Sequence, residues 1–383
     1  MSFLTGSVSA VQFSAEWPES LTGQEAELLA RFGAEPAVFG EDGESCGWIA
    51  GRHRRDTRFG DRNVLGDFLS FDFRRTTDKL PSALVRDYTA EALAELVAGN
   101  AEMPPTARQK REARERGQER AEEEAKDGRF QRHAVTPVVW DRKLGRVWFG
   151  SVSSAMIDRF VVLMTRTFGV EAVLVTPAVW SNADTAGPAT EFVPGVTPME
   201  YAWVPDLGRP DHLGNEFALW LLWRADRDGG EVGKEVAMVA RSLALDCPRG
   251  QTGSETVRYE GPTRLPEVRR ALQAGKLPRQ MGLTVVAEGE QYELTLHVDR
   301  WAITAGRLPA AGDDLPTDQA QRQVMRLEAV RAMLRAVESL FGTFLAVRRD
   351  SEGWTADVLE LRGWLGVSRP VPARVATNEQ RIG

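Results

Sequence analysis

The longest apolar periodicity in the chain runs through residues 317–347, and it constrains the fold most. Apolar side chains recur there every three or four residues, which predicts one long helix with a single face to bury. The members of this seam are Val324, Leu327, Val330, Leu334, Val337, Phe341 and Phe344. It is the clearest helix signal in the sequence.

Around this helix, strands, hairpins and shorter helices alternate without a regular βαβ rhythm, which favours an α+β fold. A hairpin followed by a helix occurs twice, at 135–168 and 281–347. The run EFALWLLWR at 216–224 is very apolar and must be buried. Four tryptophans in apolar strands and helices are predicted to be core residues, since buried tryptophan usually serves packing. They are Trp140, Trp148, Trp220 and Trp223.

Composition suggests an N-terminal and a C-terminal α+β region separated by a Gly/Pro/Asp-rich linker. We expect the following boundaries: 1–180 with a charged helical arm at 104–133, a linker or long loop at 181–215, 216–367 with the long helix, and a disordered tail at 368–383.

The formal net charge of −7 argues against a nucleic-acid-binding protein that is basic overall. A local basic surface can still exist on a protein whose net charge is negative. Cys46 and Cys247 form no disulfide or zinc-binding pattern, which indicates a reducing cytoplasm. The N-terminal residues do not resemble a signal peptide, and no apolar run is long enough for a membrane helix. We therefore expect a cytoplasmic protein without a membrane partner.

No nucleotide-binding, metalloprotease or hydrolase motif is present, so we expect no enzyme, no cofactor and no metal site. Two groups keep a metal site open as an alternative. His297 and Asp299 can share one face of a strand, and Asp211, His212 and Glu216 lie close together in sequence. An exposed strand face and a polar loop explain them more simply. A two-metal nuclease with carboxylates from several elements is not excluded by spacing.

The segment 108–130 is almost entirely charged. As a helix it has only Ala113, Ala121 and Ala125 as hydrophobic residues, so we expect it to project or to lie on the surface. Its charge is uneven, with five basic and two acidic residues at 108–116, and the opposite balance at 119–127. Either it is a solvated helix with internal ion pairs, or its basic ends and Phe130 contact phosphates and bases.

Several segments, in order along residues 3–347, resemble the recombination-associated protein RdgC family. The likeness includes the Gly47-Trp48 step, the helix start KLPSALV at 79–85, the charged helix, VVWDRKLGRVWFGS with its following helix, and EVRRALQAGK at 267–276. The chain departs from the family in lacking a Pro-Pro after Gly-Trp. It also has Glu260 and Gly261 where the family has a Lys-Gln contact pair.

This resemblance implies a ring-shaped homodimer that encircles single- or double-stranded DNA without sequence preference. Such a protein is associated with the nucleoid and restrains RecA-dependent recombination by competing for DNA. Phe130 matches the family's contact at the tip of the arm. The candidate DNA-binding residues are Lys110, Arg111, Arg114, Arg129 and Arg132 on the arm, and Arg258, Arg264, Arg269 and Arg270 around the later helix.

The sequence therefore leaves three hypotheses. The leading one is a non-enzymatic DNA-binding dimer. The alternatives are a metal-dependent nuclease, and a structural assembly protein whose charged arm binds another chain.

Overall fold

Antiparallel strands and amphipathic helices alternate along the chain in the mixed α+β pattern that the sequence predicts. The computed structural model describes residues 3–40, 43–98, 104–182, 212–246, 256–260, 266–273, 276–310 and 316–366. The strands are β1 (Val8–Ser14), β2 (Glu44–Ile49), β3 (Val64–Leu65), β4 (Phe68–Asp78), β5 (Gln131–Asp141), β6 (Arg146–Phe149), β7 (Val173–Leu174), β8 (Glu231–Val232), β9 (Glu235–Asp246), β10 (Thr256–Glu260), β11 (Leu277–Ala287), β12 (Glu290–His297) and β13 (Ala302–Arg307). The helices are α1 (Glu25–Arg31), α2 (Ser82–Val97), α3 (Ala107–Ala125), α4 (Ser154–Phe168), α5 (Pro177–Asn182), α6 (His212–Arg227), α7 (Pro266–Gln273), α8 (Gln319–Arg349) and α9 (Ser351–Leu365).

Internal contacts divide the chain into two compact units. Unit 1 contains residues 1–21, 62–70 and 137–383, and unit 2 contains residues 22–61 and 71–136. The cause is a long-range strand pairing, because β1 is antiparallel to β13, with Val8 opposite Gly306. The first strand therefore belongs to the same unit as the C-terminal helices. The expected linker at 181–215 and the expected tail at 368–383 lie largely or wholly outside the described residues.

In unit 1, the sheet runs in the order β10-β9-β11-β12-β13-β1-β6-β5. Its most regular part is the β11–β12 hairpin, which confirms the expected hairpin in this segment. The two turn residues, Glu288 and Gly289, both have positive φ (51° and 83°). A two-residue turn with this geometry matches the right-handed twist of the strands, and it favours glycine at its second position.

The long helix α8 confirms the prediction for 317–347 to within two residues at each end. The Asp318 side chain begins the helix by accepting hydrogen bonds from the backbone N–H groups of Ala320 (3.3 Å) and Gln321 (3.2 Å). The apolar seam is buried from Leu327 to Phe344, whereas Val324 is only partly buried. All four tryptophans expected in the core are at most 2% exposed.

Helix α9 follows α8 directly and was not expected from the sequence. Asp350 ends α8 and caps α9, because its side chain accepts a hydrogen bond from the Glu352 N–H group (3.2 Å). Trp354, Val358 and Leu361 are buried in the core of unit 1. The apolar residues of α9 are sparse among charged ones, so its helical period is weak in the sequence.

Unit 2 contains α1, β2, α2, α3, most of β4 and the beginning of β5. Trp48 is completely buried, and the Phe71 ring lies edge-on to it at 5.1 Å. A Cβ atom on Gly47 would lie 2.5 Å from the Ala34 Cα atom, so only glycine allows this backbone approach. The Gly-Trp step is thus explained by local packing alone.

Candidate nucleic-acid interface

The charged segment forms helix α3, which begins with a complete capping box. The Thr106 hydroxyl accepts a hydrogen bond from the Gln109 N–H group (3.3 Å), and the Gln109 side chain accepts one from the Thr106 N–H group (2.9 Å). These reciprocal bonds satisfy N–H groups that a helix start otherwise leaves without partners. The first turn of α3, where Arg108 and Lys110 lie, is therefore well defined.

Helix α3 packs closely against α2, which corrects the expectation that it has no face to bury. Ala113, Gly117 and Ala121 recur at four-residue spacing and are buried. A Cβ atom on Gly117 would lie 2.6 Å from the Thr89 backbone nitrogen, so the two helix backbones are in close contact here. This buried face of α3 is therefore a stripe of small residues, and it contains no large apolar side chain.

Cross-helix polar contacts fix the acidic half of α3 to α2. Arg120 pairs with Glu91 (2.8 Å) and lies over the Tyr88 ring, 4.2 Å from its centre. The Tyr88 hydroxyl donates a hydrogen bond to Glu124. The acidic half of α3 therefore takes part in the internal packing of unit 2.

The charge order along α3 opposes the helix dipole. The first turn contains no acidic residue and the last turn no basic one. Positive charge is unfavourable near a helix N-terminus, by about 0.3–1 kcal/mol for each exposed residue. The arrangement therefore costs stability, and the internal packing of unit 2 does not explain it.

The basic residues in the first half of α3 differ in whether they are neutralised. Arg111 pairs with Glu115 (2.9 Å), and Arg116 pairs with Glu112 (2.8 Å). Arg108, Lys110 and Arg114 are exposed and form no ion pair with any residue that the structure describes. Of the arm candidates, Lys110 and Arg114 are therefore available to an external anion, whereas Arg111 is already paired.

The end of the arm is partly neutralised as well. Arg129 pairs with Glu124 (2.8 Å) and Asp127 (2.7 Å), and its hydrogen bonds hold the pKa of Asp127 below the ordinary value. Phe130 follows and is half-buried. Arg132, near the start of β5, is exposed and unpaired within the described part of unit 2.

The remaining candidates belong to unit 1. Arg258 on β10 and Arg270 on α7 are exposed. Arg269 pairs with Asp226 (2.9 Å) and lies over the Trp364 ring, so it has a structural role. Arg264 lies outside the described residues. The structure thus separates the predicted contact residues into two groups in different units.

Two of the side chains considered as metal ligands, His297 and Glu216, have other partners. His297 is within hydrogen-bond distance of the Thr304 hydroxyl (3.0 Å), and burial lowers its pKa. Glu216 forms a buried ion pair with Arg348 (2.8 Å), and His212 is the first residue of α6, not a loop residue. Asp211 lies outside the described residues. Among the residues described, no group of three or more His, Cys, Asp or Glu side chains could hold a metal ion.

A second basic surface, which the sequence analysis missed, lies on the loop at 51–58 of unit 2. We call this segment, GRHRRDTR, the arginine loop. The buried Arg74 side chain donates hydrogen bonds to the Arg54 carbonyl oxygen (2.8 Å) and to Glu35 (2.7 Å). The Asp56 backbone accepts from the Ala50 N–H group (2.6 Å) and donates to the His53 carbonyl oxygen (3.0 Å). The backbone of this loop is therefore held at both ends.

The outer side chains of the arginine loop remain unpaired. Arg52, Arg54 and Arg55 are exposed, and none forms an ion pair within the described part of the chain. Burial and then the charges of Arg74, Arg55 and Arg54 hold the pKa of His133 on β5 below its ordinary value. The density of arginine in this segment is the sequence signal that marks the loop.

No helix among the described residues is long and apolar enough to cross a lipid bilayer. No protein-family model matches the sequence, and no significantly similar sequence was found among curated proteins.

Proposed function

We propose that the protein is a non-enzymatic, sequence-independent DNA-binding protein. The observation that carries this proposal is the group of exposed, unpaired cations at the start of α3, which are Arg108, Lys110 and Arg114. Arg108 and Lys110 lie in the first turn of α3, where positive charge costs helix stability, and a phosphate backbone offsets that cost by neutralising them. Contacts of this kind give affinity without reading base sequence.

The resemblance to the RdgC family supports a more specific form of the proposal. Two copies would close into a ring around single- or double-stranded DNA and limit the access of RecA to it. A closed ring retains DNA by topology, so a few phosphate contacts are sufficient and the net negative charge of the chain is tolerated. In this form the protein acts at the nucleoid and needs no cofactor.

Changing both Lys110 and Arg114 to glutamate is expected to weaken DNA binding and to flatten its dependence on salt. Each lost phosphate contact should reduce the slope of log affinity against log salt concentration by about 0.9 for duplex DNA. Stability should be unchanged or slightly higher, because a carboxylate at position 110 lies in the first turn of α3, where it is favourable, and position 114 lies beyond that turn. Fluorescence anisotropy over a salt series and urea unfolding measure the two effects.

The matched control changes Arg166 and Arg322 to glutamate, since both are exposed residues of unit 1 and the net charge changes equally. Equal losses of affinity in both variants would show that only net charge matters. Adding Mg²⁺ tests the nuclease alternative, which requires shortened DNA products. An absence of binding at low salt would favour the structural assembly alternative.

Replacing Phe130 with alanine is expected to weaken self-association by about 1–3 kcal/mol, if the tip of the arm forms the dimer contact as in the RdgC family. Helix α2, which packs against α3, has apolar side chains that a second copy of the chain could cover. Leu84, Leu93 and Leu96 are only half-buried. Sedimentation equilibrium of the parent and the variant measures the change.

In the same experiment, Glu119→Ala serves as the control for the Phe130 variant, because Glu119 is an exposed α3 residue away from the tip. A parent protein that is monomeric at micromolar concentration would contradict the dimer proposal. An unchanged dimer in the Phe130 variant would exclude the tip as the contact.

A further inference from the structure

We propose that the arginine loop is a phosphate-binding surface, at which Arg52, Arg54 and Arg55 contact successive phosphates of a nucleic-acid backbone. This inference rests on the proposed function and adds a site to it that neither the residue patterns nor the family resemblance assigned. We refer to these three residues as the loop arginines.

The loop arginines lie on a fixed backbone and are not neutralised. Arg74 and Asp56 fix the loop through backbone groups, so the guanidinium groups of the loop arginines stay free. When an arginine on a fixed backbone binds a ligand, less conformational entropy is lost than when the backbone is flexible. The loop is therefore organised for binding before a ligand arrives.

The carboxylates near the loop do not neutralise the loop arginines. Asp56 lies 3.8 Å from the Arg58 side chain, and Glu35 pairs with the buried Arg74 at 2.7 Å. Asp72 lies beside Gly51, but it forms no ion pair with a loop arginine in the described structure, and burial raises its pKa to about 6. Burial is the main cause of the lowered pKa of His133 on β5, and the charges of Arg55 and Arg54 contribute to it, so the charge of the loop is felt at that strand.

The chemistry of the loop arginines indicates the class of ligand. Guanidinium groups bind phosphate oxygens with paired hydrogen bonds, and three of them within four residues favour a ligand with repeating phosphates. The loop lacks the exposed apolar side chains with which a membrane-binding surface inserts among lipids, since residues 51–55 are Gly, Arg, His, Arg and Arg. A nucleic-acid backbone therefore fits better than a lipid surface.

Changing the loop arginines together to serine tests the inference on the full chain. The expected result is a loss of affinity of about tenfold to hundredfold for a labelled duplex of mixed sequence. The salt slope should fall by about 2 to 3, one phosphate for each arginine. Anisotropy titrations at several salt concentrations measure both quantities, and circular dichroism checks that the variant is folded.

Two control variants separate local contacts from other effects. Changing Arg166, Arg322 and Arg335 to serine removes the same charge from exposed positions of unit 1, and should change the salt slope much less. Changing the loop arginines to lysine retains the charge, so the salt slope should be retained, and the loss of paired hydrogen bonds should lower the affinity less than the serine changes do. If the triple serine variant is unfolded, the single changes Arg52→Ser, Arg54→Ser and Arg55→Ser provide the test, and each should lower the slope by about 0.9.

The possible outcomes distinguish this inference from the proposed function. If the parent binds DNA and the serine variant of the loop behaves like its charge-matched control, the inference is wrong and the proposed function stands. If the parent does not bind DNA even at low salt, both are wrong. Binding to anionic phosphatidylserine vesicles, with no binding to DNA, would also overturn the inference and would identify a lipid surface instead.

Discussion

Replacing Arg331 with alanine is expected to lower the free energy of unfolding by about 3–5 kcal/mol, because it breaks a buried ion pair. The Arg331 side chain is 6% exposed, and its partner Asp141 is completely buried. Arg331 donates two hydrogen bonds to Asp141, at 2.6 and 2.8 Å, and further ones to Glu328 at 2.7 Å. Its guanidinium group also lies 4.2 Å from the centre of the Phe68 ring.

The loss is large because the carboxylate of Asp141 would remain buried without its counter-charge. Urea unfolding of unit 1, followed by tryptophan fluorescence, measures the effect. Arg335→Ala is the matched control, since this arginine lies one turn later on α8 and is exposed. Its effect should stay within about 0.5 kcal/mol. A loss of less than about 1 kcal/mol for the Arg331 variant would mean that the pair contributes little to folding.

Changing Gly117 to alanine is expected to destabilise unit 2 by about 2–3 kcal/mol through overpacking. In an exposed helix the same change would stabilise by about 0.5–1 kcal/mol, because alanine has the higher helix propensity. Here the added Cβ atom would lie 2.5 Å from the Thr89 hydroxyl and 2.6 Å from the Thr89 backbone nitrogen. The helices would have to separate to admit it, so the expected effect has the opposite sign.

The sign of the effect therefore decides between a packed hairpin and a solvated helix. Thermal unfolding and hydrogen exchange of the α2 and α3 amides are suitable measurements. Glu119→Ala provides the comparison, because Glu119 lies two residues away on the exposed side of α3. If Gly117→Ala raises stability, α3 does not pack on α2 as described, and the original hypothesis of a projecting, solvated helix is restored.

The sequence alone predicted those elements whose signals are local. The periodicity of α8, the apolar run in α6 and the strands of the β11–β12 hairpin are visible within short windows. The burial of the four tryptophans followed from the same windows. For the proposed site, the sequence identified the basic half of α3, because the imbalance of charge is a property of neighbouring residues.

Tertiary structure decided the features that depend on distant residues. The pairing of β1 with β13 sets the two units, and no local window contains both strands. Similarly, Arg331 and Arg52 have the same chemistry, but only the fold buries the first beside Asp141 and leaves the second exposed and unpaired. Whether an arginine stabilises the protein or remains available to a ligand depends on which carboxylates lie within about 4 Å of it, and folding alone sets those distances.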